Sequence, residues 1–432
     1  MQAFPGSLLE CGAGRASISA SGPQRETVTF LPAMMSLSFL SLLDACALGH
    51  FEKAKQVFAV GGVNIHAEDD SAFVAACGHG HLAIAQWLLG LGGVDVHAKD
   101  NGAFRWACAR GHLVVAQWLL GLGGVDIHAE DDFAFRWACL KGHVVVAQWL
   151  VSLGGVDIHA DRDFAFRKAC EYGRLVVAQW LLGLGGVDIH AYDDDAFCKA
   201  CEKGRWEVAR WLHALGGVDI HVSCDDAFRK ACENGHLQVA QWLFSLGGVD
   251  IHAYNDDAFR WTCNFGHLEV AQWLCSLGGV DMSARADLAF LETCGNGHLR
   301  VAQWLFAQGG IDIHDCQAFA SACENGHLAV AQWLLALGGV DTHAHYDMAF
   351  RGACENGHLQ VAQWLLGLGG VNIHAADDGA FVTACENVHE GLARWLIALD
   401  PTWDWPMEGM EALQDWSQPR DSWMRAVIRH GT

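Results

Sequence analysis

The stretch Asp132-Phe-Ala-Phe-Arg-Trp-Ala-Cys-Leu-Lys-Gly-His-Val-Val-Val-Ala-Gln-Trp-Leu-Val-Ser-Leu-Gly-Gly-Val-Asp-Ile-His159 decides the fold. A close copy returns every 31 residues, marked by a Trp after Ala-Gln or Ala-Arg: Trp87, Trp118, Trp149, Trp180, Trp211, Trp242, Trp273, Trp304, Trp333, Trp364 and Trp395. Only the step from Trp304 to Trp333 is shorter, at 29 residues. The missing pair falls between His314 and Phe319, in a connection, where deletion disturbs least. An upstream copy near 36–66 keeps the phase, with Gly49-His50 preceding Gly80-His81, which makes twelve copies. A fixed period of this length means a solenoid or a propeller.

The unit reads as two short helices. Phe135, Ala138 and Cys139 stand at i, i+3, i+4, one helical face. Asp132 precedes that run and is expected to act as its N-cap, in a column with Asp70, Asn101, Asp163, Asp194, Asp225, Asp256, Asp287, Asp347 and Asp378, from which only Cys316 departs. Gly142 suits a left-handed helix stop. Val146, Trp149, Leu150 and Leu153 then form a second amphipathic stripe, closed by Gly154-Gly155 and an extended Val156 to His159. Helices of about ten residues do not stand alone in water. Neighbouring copies must therefore supply a shared core, and the Phe, Cys and Trp columns are expected to form it. The fold class that follows is all-α, a helix-turn-helix-loop solenoid, elongated and curved.

Gly-His-Leu-Gln-Val-Ala-Gln-Trp-Leu-Leu at 357–366 and Leu-Gly-Gly-Val-Asn-Ile-His-Ala at 368–375 resemble the signature runs of ankyrin repeats, and Ala353-Cys354 resembles the family's Ala-Ala. The likeness spans about residues 36–399. It implies an ankyrin-like array whose work is binding other proteins. The chain departs from the family in its opening, Asp-x-Ala-Phe-Arg where Thr-Pro-Leu-His is usual, and in its period, 31 where the family has about 33. Its connection into each new helix is shorter, which predicts a stubby loop in place of a long hairpin.

The array is expected over 36–399, with 36–66 and 375–399 as end caps: Lys53, Lys55 and Gln56 replace the inner Ile84, Gln86 and Trp87, and Val388 and Glu390 replace Gly357 and Leu359. Residues 1–35 lack the repeat and are expected to be disordered or weakly structured; their Ser content with Arg15 and Arg25 also fits a targeting peptide. Residues 400–432 carry Trp403, Trp405, Trp416 and Trp423 and are expected to form capping helices over the last copy, or a free partner-recruiting tail. Fifty acidic against 27 basic residues give a net charge of −23, which argues against general binding to nucleic acid or to anionic membranes. No apolar run reaches membrane-spanning length.

Of seventeen Cys, twelve form one column from Cys46 to Cys385, a small apolar slot in each first helix. Equivalent sites about 10 Å apart cannot form disulfides, so these are expected to be buried free thiols of a reducing, cytoplasmic compartment. Twenty of the 24 His form two columns, one after the turn Gly and one after the extended segment. Arg174 and Arg205 replace the first and Ser283 the second. Rings that hydrogen-bond loop backbone between copies are the expectation; the alternative is a metal-binding protein that uses the His columns. No catalytic constellation and no cofactor motif stands out, so neither enzyme activity nor a cofactor is expected.

Binding is sought in columns that core packing does not fix. Right after the column Phe come, in six copies, Arg105, Arg136, Arg167, Arg229, Arg260 and Arg351, and the next position holds Trp106, Trp137 and Trp261 or Lys168, Lys199 and Lys230. Tyr192 and Tyr254 vary in the loop column. Helical geometry points these positions away from the core face, and Arg and Trp dominate binding hot spots. They predict a face for an unknown, acidic or extended, protein or peptide held by a monomeric scaffold. The competing expectation is an internal ladder in which each Arg pairs with a loop Asp.

Overall fold

The computed structural model describes residues 31–278, 282–311, 317–401 and 403, and side chains at these except 31–38 and 282–287. Residues 1–30 of the targeting or disordered segment expected at 1–35, the tail beyond 403, and Cys316 lie outside the described residues. Packing divides the chain into Met1–Ala134 and Phe135–Thr432.

In the first unit the helix Leu31–Ala47 begins the series, earlier than residue 36, and pairs with Phe51–Ala59. Ala67–Gly78 with Leu82–Gly90, and Ala98–Ala109 with Leu113–Gly121, follow. First helices pack on first helices in chain order. The second unit repeats the scheme from Val144–Leu153 and Ala160–Glu171 to Ala375–Glu386 and Glu390–Leu399. No strand occurs among the described residues. Phe and Cys side chains make the core: Phe73, Phe166, Phe228 and Phe350 are almost fully buried, as are the thiols of their copies. Each such ring stabilises the stack by roughly 1.5–3 kcal/mol. The Trp column differs from expectation. Its rings are half-buried and lean on the preceding copy's Phe, as Trp211 does on Phe166, with centroids 6.2 Å apart. At the last copy Trp403 takes that place and stacks parallel on Phe381 at 4.9 Å.

The turn Gly and the next copy's His interlock. His81 donates its Nε2–H to Ala47 O at 3.1 Å, and its ring lies over Gly49, where a Cβ would come within 2.5 Å of Cε1. Gly49 also needs its φ of +75°. Arg does the same work where His is replaced: Arg174 Nε donates to Leu140 O and Arg205 Nε to Glu171 O, each at 3.2 Å. This is the inter-copy backbone bond the sequence predicts for the first His column.

Among the described residues the Asp column does not cap helices, and the N-cap expectation is corrected here. Among the described residues, nine first-helix segments carry three left-handed residues directly after their first residue, with φ from +49° to +65°, as Asp161, Arg162 and Asp163 do in Ala160–Glu171, and the right-handed helix starts after them. Such a conformation costs non-glycine residues roughly 1–2 kcal/mol each, and Asp and Asn tolerate it best. The carboxylate holds the turn closed from both sides. Asp163 Oδ1 accepts from His159 Nδ1 at 2.6 Å, and Oδ2 accepts the backbone N–H of Asp188 in the next copy at 2.9 Å. Asp70 does the same with His66 and Asp95. The second His column therefore bonds to a carboxylate, where loop backbone was expected. A turn tied in this way is the stubby loop that the short connection predicts.

Candidate partner-binding surface

The Arg column begins where these turns end, so the turn decides what the guanidinium can reach. Arg105 is only 7% exposed. Its Nε and Nη2 donate to Asp100 O and Lys99 O, both at 2.7 Å, and Nη1 meets Glu130 Oε2 at 2.6 Å. Arg167 repeats the pattern, with Nε on Arg162 O, Nη2 on Asp161 O and Nη1 on Asp195 Oδ2 of the next copy at 2.9 Å. Arg229 and Arg351 grip the equivalent turn carbonyls. Arg260 instead pairs with Asp257 and Glu292. The guanidinium also covers an aromatic ring of the next copy: Arg105 over Phe133, Arg136 over Phe164, Arg167 over Tyr192 and Arg229 over Tyr254. Helical spacing alone places these side chains outward; the carbonyls of the left-handed turn draw them back.

The neighbouring column is more open. Trp106 is 38% exposed, with the Arg110 guanidinium 5.4 Å from its ring centre. Trp137 is half-buried, with Lys141 over it. Trp261 stacks on Phe265 at 5.8 Å, and Phe265 is exposed. Lys168, Lys199 and Lys230 each reach the Glu three residues on, Glu171, Glu202 and Glu233, at 2.6 Å. At the loop tips Tyr192 and Tyr254 are exposed by about half.

In the second unit four copies lack the Arg, with Cys198, Leu291, Ala320 and Val382 after their Phe, and Ala320 is the smallest of these. Ala320 follows Phe319 where Arg351 follows Phe350, and a hollow of about 270 Å³ opens there, lined by Leu291, Phe319, Met348, Glu324 and Asp341 among others. The sequence signal for it is the Ala itself, the smallest side chain in a column that carries Arg in six copies.

The thiol column is chemically quiet. Burial pushes Cys46, Cys294, Cys323 and Cys354 up to about 12 and most of the others higher still. All described cysteines are free. Among the described residues, no group of three or more His, Cys, Asp or Glu stands close enough to hold a metal ion, and no helix is long and apolar enough to cross a membrane.

Compared with known families, the chain matches ankyrin repeats (3 copies) over residues 42–131 and 104–193, and ankyrin repeats (many copies) over 197–244. No curated protein matches it.

Proposed function

We propose, from the premise that this chain is an ankyrin-repeat protein, that it is a non-enzymatic scaffold whose partner lies on the first-helix faces and loop tips. Ankyrin repeats are in general protein-interaction modules. The observation that carries the reading is where aromatic surface is left over. Trp106, Phe265, Tyr192 and Tyr254 stay exposed in copies whose Phe and Cys columns already complete the core. Exposed rings of this kind, rimmed by charge, are what hot spots are made from. Lys168, Lys199 and Lys230 add charge that remains in contact with solvent, because exposed ion pairs of this kind contribute no more than about 1 kcal/mol and exchange readily. The buried Arg105 serves the fold first, and Arg136, Arg167, Arg229 and Arg260 are half-buried.

The test is capture of the natural partner by the tagged full chain, compared with W106S, W261S and the pair Y192S/Y254S. Loss of the same captured protein, with unchanged thermal unfolding, is the expected result. A partner held equally by all the variants overturns the surface assignment.

A further inference from the structure

We propose that the hollow beside Ala320 is a socket for the guanidinium of an arginine carried by the partner, and that further basic residues follow that arginine at intervals of three. This rests on the partner-binding reading above and gives the partner its chemistry.

The socket is defined by what its neighbours contain. One copy later, Arg351 fills the same position and donates to Tyr346 O at 2.9 Å and His345 O at 3.1 Å. Elsewhere in this unit Arg136 covers Phe164 of the next first helix at 5.6 Å, while Arg167 and Arg229 cover the loop residues Tyr192 and Tyr254. Met348 holds the position of Phe164, but Ala320 sends nothing across it. What remains is an apolar floor of Leu291, Phe319 and Met348 with the carboxylates of Glu324 and Asp341 beside it. A planar cation that stacks on apolar surface and takes carboxylates edge-on suits such a site better than an ammonium does.

The charge around it agrees. Glu324, Glu355 and Glu386 end the helices Gln317–Glu324, Ala344–Glu355 and Ala375–Glu386, and none of these helices has a basic residue in its last turn. Among the described residues no ion pair engages the three carboxylates, whereas Glu171, Glu202 and Glu233 each have a Lys. A carboxylate at a helix C-terminus is opposed by the helix dipole, so local stability does not explain the row. First helices in series lie about 10 Å apart, and a chain in the polyproline-II conformation advances about 3.1 Å per residue with three residues per turn, so every third side chain faces the same way. Basic side chains three residues apart therefore meet successive Glu residues. The partner segment is basic here, the reverse of the acidic partner that the Arg column predicts.

Fluorescence anisotropy of labelled peptides with the full chain tests this. One peptide carries Arg with Lys at the third and sixth residues after it, a second has the same composition with the three cations adjacent, and a third has Glu in their places. The spaced peptide should bind tightest. A320R, which fills the socket from within, should weaken it by about tenfold or more, and A320M serves if A320R unfolds; E355Q/E386Q should also weaken it about tenfold with the unfolding midpoint unchanged or raised. Equal binding by the socket-filling variant, no preference for the spacing, or preference for the acidic peptide overturns the inference. A natural partner lost by W261S but kept by A320R sinks the socket alone. One indifferent to both sinks the parent reading with it.

Discussion

His112 lies across Gly80 so closely that a Cβ on Gly80 would stand 2.5 Å from its Nδ1. The Gly is required twice, by its φ of +82° and by the ring above it. Gly92 has a similar φ of +88° but nothing within 4 Å of a Cβ. Gly92→Ala should therefore cost about 1–2 kcal/mol for backbone strain alone. Gly80→Ala adds a steric term of about 1–3 kcal/mol. Urea unfolding of the two variants side by side checks the difference, and equal losses would refute the interlock.

The same His column sets an acid response. His143, His236, His267, His298 and His358 are held below the ordinary imidazole value, first by burial. The unfolded chain then binds more protons once pH drops below about 6.5, so stability falls as pH falls. At neutral pH and above these groups contribute nothing. His374 acts in the opposite sense: Asp378 raises it, so its contribution is full below the unfolded value and fades as pH rises through its folded value. The five outnumber the one, and the unfolding midpoint should drop between pH 7 and pH 5. H236R/H267R, which copies the native Arg174 and Arg205, should flatten that drop. An unchanged slope in the double variant would show that other groups carry it.

Thiol reactivity should sort the cysteines by position. Cys224 is exposed, while Cys139 and Cys170 are buried and their thiols resist ionisation. Since the thiolate is the reactive form, a brief pulse of alkylating reagent at pH 8, read by peptide mapping, should modify Cys224 and leave the column intact until denaturant is added. Labelling of Cys139 in the folded chain at a rate like that of Cys224 would contradict the packing.

The helices were legible in the sequence because their periodicity is local. Phe135, Ala138 and Cys139 share a face whatever surrounds them, and Val388 in place of the turn Gly marks the last copy because no further His has to sit on it. The purpose of the Asp column was not legible, and that of the Arg column was legible only as one of two alternatives, of which the internal pairing matches Arg167 with Asp195 and Arg260 with Asp257. Both depend on a left-handed turn that no local preference dictates, and its closure comes from the next copy, as in the Asp163 to Asp188 bond. Without that turn, Asp163 looks like a helix cap and Arg167 looks like an outward contact. The hollow at Ala320 was visible only as a gap in a column whose role depended on the same turn.

Asp163 offers the sharpest test of that turn. It is 4% exposed and accepts from both His159 and the backbone of Asp188. Asp163→Ala removes both bonds and frees three left-handed residues to relax. Bonds to a charged group contribute about 1.5–3 kcal/mol each, but relief of the strain returns part of that, so a loss of about 2–4 kcal/mol is expected. Asp163→Asn keeps an acceptor for His159, as native Asn101 does for His97 at 2.9 Å, and should cost under about 1.5 kcal/mol. Hydrogen exchange at the Asp188 amide should accelerate strongly in the Ala variant and little in the Asn variant. If both variants exchange at the native rate, the carboxylate does not hold the turn, and closure must come from Arg167 on the carbonyls of Asp161 and Arg162.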